Sequence, residues 1–166
     1  MTNKNSKKGF TIIEVVLVLA IAGLIFLMVF IALPALQRSQ RNTRRRQDMA
    51  RILSAFNDYQ ANNNGSFPSD FESFIVKYVD PSCKDSDGNY DSSLCSDQSV
   101  DPDGTPYTIK AGTIGTNPAE GSHEIHFYTK AKCSGENAVL DANGGSRSIA
   151  ITYTLEGGAV YCGDNQ

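Results

Sequence analysis

The feature that most constrains this chain is an apolar run near its N-terminus. Val15 to Leu36 comprises 22 residues without a charged side chain. A helix rises about 1.5 Å per residue, so about 20 residues suffice to cross the roughly 30 Å hydrocarbon layer of a membrane. The run is also longer than the apolar core of a secretory signal. The sequence therefore predicts a membrane-spanning helix, kinked where Pro34 removes a backbone hydrogen bond.

A second apolar pattern continues the helix beyond this run. Apolar side chains recur there at steps of three and four, the spacing of one helix face. They are Met49, Ile52, Leu53, Phe56 and Tyr59. The polar stretch 62–65 ends the pattern with a glycine that can adopt the left-handed capping conformation. We therefore expect one helix of roughly fifty residues that begins in the membrane and ends packed on a soluble domain.

Charge is distributed unevenly along the chain. The stretch 1–9 carries three lysines, and the stretch 37–51 carries six arginines against one aspartate, a net +5. From 52 to 166 there are six basic and sixteen acidic residues, a net −10. Such an acidic C-terminal part is a poor match for nucleic-acid phosphates. The arginines permit three interpretations: contact with anionic lipid headgroups, pairing with acidic residues of neighbouring molecules, or DNA binding.

Glu14 is unusual because it places one carboxylate at the edge of the apolar run. Carrying such a group to mid-bilayer costs on the order of 2.5–3.5 kcal/mol. Around it the sequence reads Lys-Lys-Gly-Phe-Thr-Ile-Ile-Glu over residues 7–14. A basic leader ending in glycine, then phenylalanine, then a carboxylate ahead of an apolar helix, resembles the processing motif of type IV prepilins and pseudopilins. Gly23 and the Leu-Pro-Ala step around Pro34 are also similar to the family's helix.

The resemblance implies specific roles for three residues. Prepilin peptidase would cut between Gly9 and Phe10, and the same enzyme would methylate the new amino group of Phe10. Glu14 would then pair with the Phe10 amino group of a neighbouring subunit, which makes a buried charge tolerable. Gly23 and Pro34 lie about three residues further apart than in the commonest family pattern, which is nearly one helical turn. The position of any helix break in a filament is therefore left open.

The patterns and the resemblance together predict an α+β, pilin-like fold. Its long N-terminal helix, membrane-spanning in the first half, would pack on a small antiparallel β-sheet. We expect a basic leader at 1–9, a transmembrane and filament-core helix at 10–36, its amphipathic continuation at 37–64 and a soluble head at 65–166. Within the head a short helix is predicted at 70–79, a polar loop from 80 to 103, and strands at 106–111, 123–131, 148–155 and 159–162.

Four cysteines lie in the C-terminal part, at Cys83, Cys95, Cys133 and Cys162. None forms a Cys-x-x-Cys pair, so a zinc site is not indicated. An even number downstream of a membrane segment favours disulfides formed in an oxidising compartment, with buried free thiols as the alternative. We favour Cys83–Cys95, which closes the acidic loop, and Cys133–Cys162, which ties the C-terminal tail to an earlier strand. The two other connectivities remain open.

A calcium site is the only cofactor site that the sequence indicates. Asp85, Asp87, Asn89 and Asp91 place oxygen ligands at alternate positions, as calcium loops do. The loop fails the EF-hand pattern because Tyr90 stands where glycine is needed. A solvated acidic loop with ordinary turns explains the same residues. No nucleophile, phosphate-loop or paired-histidine motif appears, so we predict that the protein is not an enzyme.

The expected function is that of a structural subunit of a type IV pilus-like filament. Its partners would be further copies of itself, prepilin peptidase and a pilus assembly platform. The alternative is a minor pilin or pseudopilin that binds DNA or a surface, although the negative charge of the head disfavours nucleic acid as its ligand. The positive-inside rule alone would place the arginines in the cytoplasm. The processing motif and the cysteines favour a single-pass protein of the cytoplasmic membrane with the head outside, which then enters an extracellular or periplasmic filament.

Overall fold

The computed structural model describes residues 9–96 and 98–166, so the predicted leader lies outside the described residues except for Gly9. The chain divides into two compact units, with the boundary between Ser39 and Gln40. Helix α1 spans Ile12–Asn62 and continues through Pro34. It ends in a left-handed turn in which Gly65, at φ 79°, donates its N–H to the carbonyl of Gln60 at 2.8 Å. Glycine reaches this conformation at little cost, which is why the helix stops there.

The C-terminal unit contains the remaining elements. A short helix α2 is followed at once by a π-helical turn, and a 3₁₀ turn and six strands come after it. These elements are α2 Phe71–Phe74, the π-helical turn Ile75–Val79, the 3₁₀ turn Ser92–Leu94, β1 Thr108–Ala111, β2 Glu124–Thr129, β3 Ala131–Ser134, β4 Asn137–Leu140, β5 Ile149–Thr154 and β6 Val160–Asp164.

Four of the strands form one sheet in the order β1-β2-β5-β6. The pairs β2–β5 and β5–β6 are antiparallel, as predicted. The pair β1–β2 is parallel, so the sheet is mixed, and its β1 edge departs from the antiparallel arrangement expected from the sequence. Parallel neighbours need a long crossover connection, and the twelve residues 112–123 between these two strands provide it.

A separate hairpin of β3 and β4 was not predicted. The sequence pattern suggested one strand from 123 to 131, but β2 ends at Thr129 and the chain turns into β3 at Ala131. Lys130 lies between them in the left-handed region, at φ 53°. The hairpin turn contains Gly135, also left-handed at φ 64°. A glycine flanked by polar residues is a recognisable turn signal, so this hairpin turn is marked in the sequence.

The core lies between α1 and one face of the four-stranded sheet. Phe56 is fully buried, with its ring centroid 4.5 Å from that of Phe74 and 5.8 Å from that of Phe127. Ile125 and Ile151 extend this core from the neighbouring strands β2 and β5. A smaller apolar cluster on the other side brings β3 and β4 against the sheet. The predicted fold class, an α+β pilin-like arrangement with a long N-terminal helix on a small sheet, is confirmed.

Candidate functional site

The predicted processing residues lie immediately before the first turn of α1. Gly9 and Phe10 have no regular secondary structure, and α1 begins at Ile12. The side chain of Phe10 is 90% exposed. The bond between Gly9 and Phe10 therefore lies in irregular backbone outside the helical hydrogen-bond ladder, where an enzyme can reach it more easily than within a helix.

Thr11 and Glu14 form a reciprocal cap at the start of the helix. The backbone N–H and the hydroxyl of Thr11 both donate to Oε2 of Glu14, each at 2.8 Å. The backbone N–H of Glu14 donates in turn to the Thr11 hydroxyl at 3.4 Å. This is a capping box, in which a threonine at the N-cap and a glutamate three residues later satisfy each other's polar groups. Glu14 was predicted as a functional residue from the sequence and Thr11 was not, although Thr-x-x-Glu is a recognisable capping-box spacing.

The side chains in the apolar part of α1 are exposed within the N-terminal unit. Nineteen large apolar side chains between Phe10 and Leu36 are exposed, and none of the most apolar helical window is buried. Full burial of one such side chain is worth about 1.5–3 kcal/mol, so the set represents on the order of 30 kcal/mol or more of hydrophobic driving force. The segment is long and apolar enough to cross a membrane.

Two arginines of the predicted cluster form ion pairs within the C-terminal unit. Arg45 binds Asp101 through two parallel contacts, Nε to Oδ2 at 2.6 Å and Nη2 to Oδ1 at 2.7 Å. Its Nη1 also donates to Oε1 of Glu156 at 2.6 Å. Arg41 holds both oxygens of Glu156 at 2.7 Å. These contacts connect α1 to the loops that carry Asp101 and Glu156, so Arg41 and Arg45 have a structural role in the monomer.

Further polar contacts complete this network. The side chain of Asn42 exchanges two hydrogen bonds with the backbone of Glu156, each at 3.0 Å. The Tyr153 hydroxyl donates to Asp101 at 2.8 Å. The hydrogen bond from Arg41 is the main reason that the pKa of Glu156 falls to about 2; partial burial opposes the shift and Arg45 adds to it. The carboxylate thus stays ionised well into acid conditions.

A buried carboxylate on the same helix lies close to a second tyrosine. Asp48 is almost fully buried and accepts a hydrogen bond from the Tyr107 hydroxyl at 3.1 Å. Burial raises the pKa of Asp48, although this hydrogen bond and the nearby Arg51 act in the opposite direction. Arg51 lies 3.4 Å from Asp48 and donates to the carbonyl of Gln98 at 3.2 Å. DNA binding by the arginine cluster stays an untested alternative, and Arg41, Arg45 and Arg51 each contact carboxylates within the chain.

The structure contains the two disulfides favoured from the sequence, Cys83–Cys95 and Cys133–Cys162. The first closes the loop that follows the π-helical turn. Asp80 supports the same loop, since its carboxylate accepts hydrogen bonds from serines on both sides of the disulfide, at Ser82 and Ser96. Burial opposes ionisation of Asp80, but these hydrogen bonds outweigh it and lower its pKa.

The predicted calcium ligands serve local turns. Asp85 accepts from the backbone N–H groups of Asp87 and Asn89, at 2.9 and 2.8 Å. Asp91 instead accepts from the backbone and hydroxyl of Ser93, at 2.9 and 2.6 Å. Within residues 9–96 and 98–166, these aspartates do not belong to any set of three or more His, Cys, Asp or Glu side chains whose ligand atoms lie within 4.8 Å of one another. The arrangement therefore gives no geometric support to a calcium site, and calcium binding stays a prediction.

Two other groups of potential metal ligands do converge in the described part of the chain. One contains Asp80 with Cys83 and Cys95, whose sulfurs are already joined to each other. The other contains Asp101, Asp103 and His123, but Asp101 is bound by Arg45 and the ring of His123 lies 2.6 Å from Asp103. A disulfide offers no thiolate, and a guanidinium occupies the position that a cation would need. Both groups are better explained as structural contacts.

Together these features define a class of protein: a small pilin-like α+β domain that continues a membrane-length apolar helix, with a capped carboxylate at the start of that helix. A family model described as the prokaryotic N-terminal methylation motif matches residues 4–30. This motif is characteristic of type IV pilins and pseudopilins, so the predicted resemblance is confirmed over this segment. Comparisons with curated proteins and with solved structures found no match.

Proposed function

We propose that this protein is a structural subunit of a type IV pilus-like filament. In this proposal, prepilin peptidase removes residues 1–9 and methylates Phe10, and the subunit then polymerises through α1. The observation that carries the proposal is the methylation motif, which extends from the residues before α1 into the part of that helix whose apolar side chains are exposed. Lipid covers these side chains in the membrane, and copies of the same helix cover them in a filament.

The exchange of lipid for protein contacts gives the helix two stable environments. Lipid tails are as apolar as the helix side chains that would replace them in a filament. The hydrophobic effect alone therefore does not favour the filament over the membrane. Specific contacts must supply the difference. A pairing between the ionised Glu14 and the Phe10 amino group of a neighbouring subunit is the strongest candidate, because opposite charges attract most where water is excluded. Assembly would further require a platform in the membrane that extracts each subunit.

The proposed orientation places the C-terminal unit outside the cytoplasm, as its two disulfides favour. Alkylation of intact cells and spheroplasts with a thiol reagent tests this orientation. In the proposed orientation all four cysteines resist alkylation until a reductant is added. Immediate labelling of the cysteines in native protein would place this unit in the cytoplasm and contradict the proposal.

The function is tested by imaging cells for surface filaments and by determining the mature N-terminus by mass spectrometry. We expect a chain that begins at a methylated Phe10, and filaments that disappear when Glu14 is replaced by alanine. Glu136→Ala is the matched control, because Glu136 is an exposed carboxylate in the turn between β3 and β4. The proposal is wrong if an intact Met1 persists in cells with an active prepilin peptidase, or if Glu14→Ala and Glu136→Ala cells form equal numbers of filaments.

A further inference from the structure

The capping box at the start of α1 uses only one of the two oxygens of Glu14. Oε2 accepts both hydrogen bonds from Thr11, at 2.8 Å each. None of the described residues, 9–96 and 98–166, donates a hydrogen bond to Oε1. An ionised carboxylate can accept about four hydrogen bonds, so the group retains unused capacity. The contacts with Thr11 also fix the direction in which Oε1 points.

The surroundings of Glu14 suit the N-terminus of another copy. Its side chain borders a shallow depression that is otherwise apolar and is lined by Phe10, Val15, Val18 and Leu19. A processed second copy would present an amino group attached to a phenylalanine. The ammonium group matches the open carboxylate oxygen, and the aromatic ring matches the apolar lining. The occupant that fits this charge and shape is therefore the mature N-terminus of a second copy.

Resting on the filament function proposed above, we propose that Thr11 is a positioning residue for assembly. Its hydroxyl holds Oε2 of Glu14 within the subunit, so that Oε1 faces the Phe10 amino group of the neighbouring subunit. Without the hydroxyl, Glu14 keeps its charge and the backbone hydrogen bond, but its side chain samples more rotamers. Each docking event must then select the productive rotamer, which lowers the affinity of one subunit for the next.

Two substitutions separate positioning from simple helix capping. Thr11→Ser retains a hydroxyl that can both accept from and donate to Glu14. Thr11→Gly removes the hydroxyl, yet glycine at the N-cap costs a helix only a few tenths of a kcal/mol relative to threonine. Filament yield is measured for each variant and normalised to the amount of mature subunit in the membrane, so that differences in processing do not enter.

If Thr11 positions Glu14, Thr11→Ser assembles like the wild type and Thr11→Gly loses about tenfold in normalised yield, the effect of one hydrogen bond. If Thr11 only caps the helix, both variants assemble like the wild type and the inference is overturned. It is equally overturned if Thr11→Ser falls as far as Thr11→Gly, since the hydroxyl would then not be the active group. A wild-type chain that forms no filaments would instead refute the filament function itself.

Discussion

Replacing Arg45 by methionine is expected to destabilise the C-terminal unit by about 3–5 kcal/mol, the usual effect of removing one partner from a buried ion pair. The side chain of Arg45 is 6% exposed and that of Asp101 is fully buried. Methionine retains most of the aliphatic packing but offers no donor. The Asp101 carboxylate would keep the hydrogen bonds from Tyr153 and from the backbone of Asp103, with no counter-charge in contact.

A matched control and a double mutant separate this effect from the loss of positive charge. Arg46 is the next residue along the helix and is exposed, so Arg46→Met should change the unfolding free energy by no more than about 0.5 kcal/mol. Combining Arg45→Met with Asp101→Asn removes the uncompensated charge. The double mutant should therefore be destabilised by clearly less than the sum of the two single mutants.

The unfolding measurement can be confined to the C-terminal unit of the full-length protein in detergent. The chain has no tryptophan, and all seven of its tyrosines lie after residue 40. Tyrosine fluorescence during urea unfolding therefore reports on this unit alone. The reasoning is refuted if Arg45→Met costs less than about 1 kcal/mol, or if it costs the same as Arg46→Met.

Two further predictions follow from the same unit. Since Arg41 lowers the pKa of Glu156 from its ordinary 4.5 to about 2, the carboxylate stabilises the fold above pH 4.5 and this contribution is lost as the pH falls toward 2. Glu156→Gln should flatten the dependence of the urea midpoint on pH in this window, and an unaltered slope would contradict the assignment. Replacing Cys133 and Cys162 together by alanine should cost about 3 kcal/mol. As the control, wild type and this double variant are compared under reducing conditions, where the disulfide is absent from both and the two should unfold alike.

The helical part of this fold could be predicted from sequence because its signals are local. The apolar run fixed the membrane-length helix, and Met49, Phe56 and their neighbours at steps of three and four predicted its amphipathic continuation. The signal that ends α1 was equally local, because Gly65 adopts the left-handed conformation and glycine does so at little energetic cost. The strands β2 and β5 were predicted from alternating side chains and β6 from the Gly-Gly turn before it, with ends displaced by one or more residues.

The sheet order could not be predicted because strand pairing depends on contacts that are distant in sequence. The alternation in β1 shows that one face is buried, but it contains no information about the direction of the neighbouring strand. The long connection 112–123 permitted a parallel crossover without requiring one. The start of α2 shows a similar limit: Ser69 and Glu72 have capping-box spacing, yet Asp70 is the residue whose side chain caps the helix.

The polar network around Arg45 could not be predicted from the sequence for the same reason. Six arginines in fifteen residues indicated a basic segment, but nothing in the spacing showed which of them would face inward. Arg41 and Arg45 are four residues apart and therefore lie on one helix face, whereas their partners Asp101 and Glu156 come from loops more than fifty residues away. Helical periodicity could have grouped the two arginines, but only the fold supplies the two carboxylates.

The contacts of Glu14 change the physical argument for assembly. From sequence alone this carboxylate is a solitary charge that either stays at the membrane interface, close to Lys7 and Lys8, or needs a cationic partner inside a protein assembly. In the structure, Thr11 already provides two hydrogen bonds to it. Hydrogen bonds to an ionised carboxylate reduce the cost of its partial desolvation, so a single subunit can rest at the membrane edge before any neighbour arrives. In the proposed filament, the pairing with Phe10 would then serve less to offset the cost of a buried charge than to select one axial position of a subunit against the next.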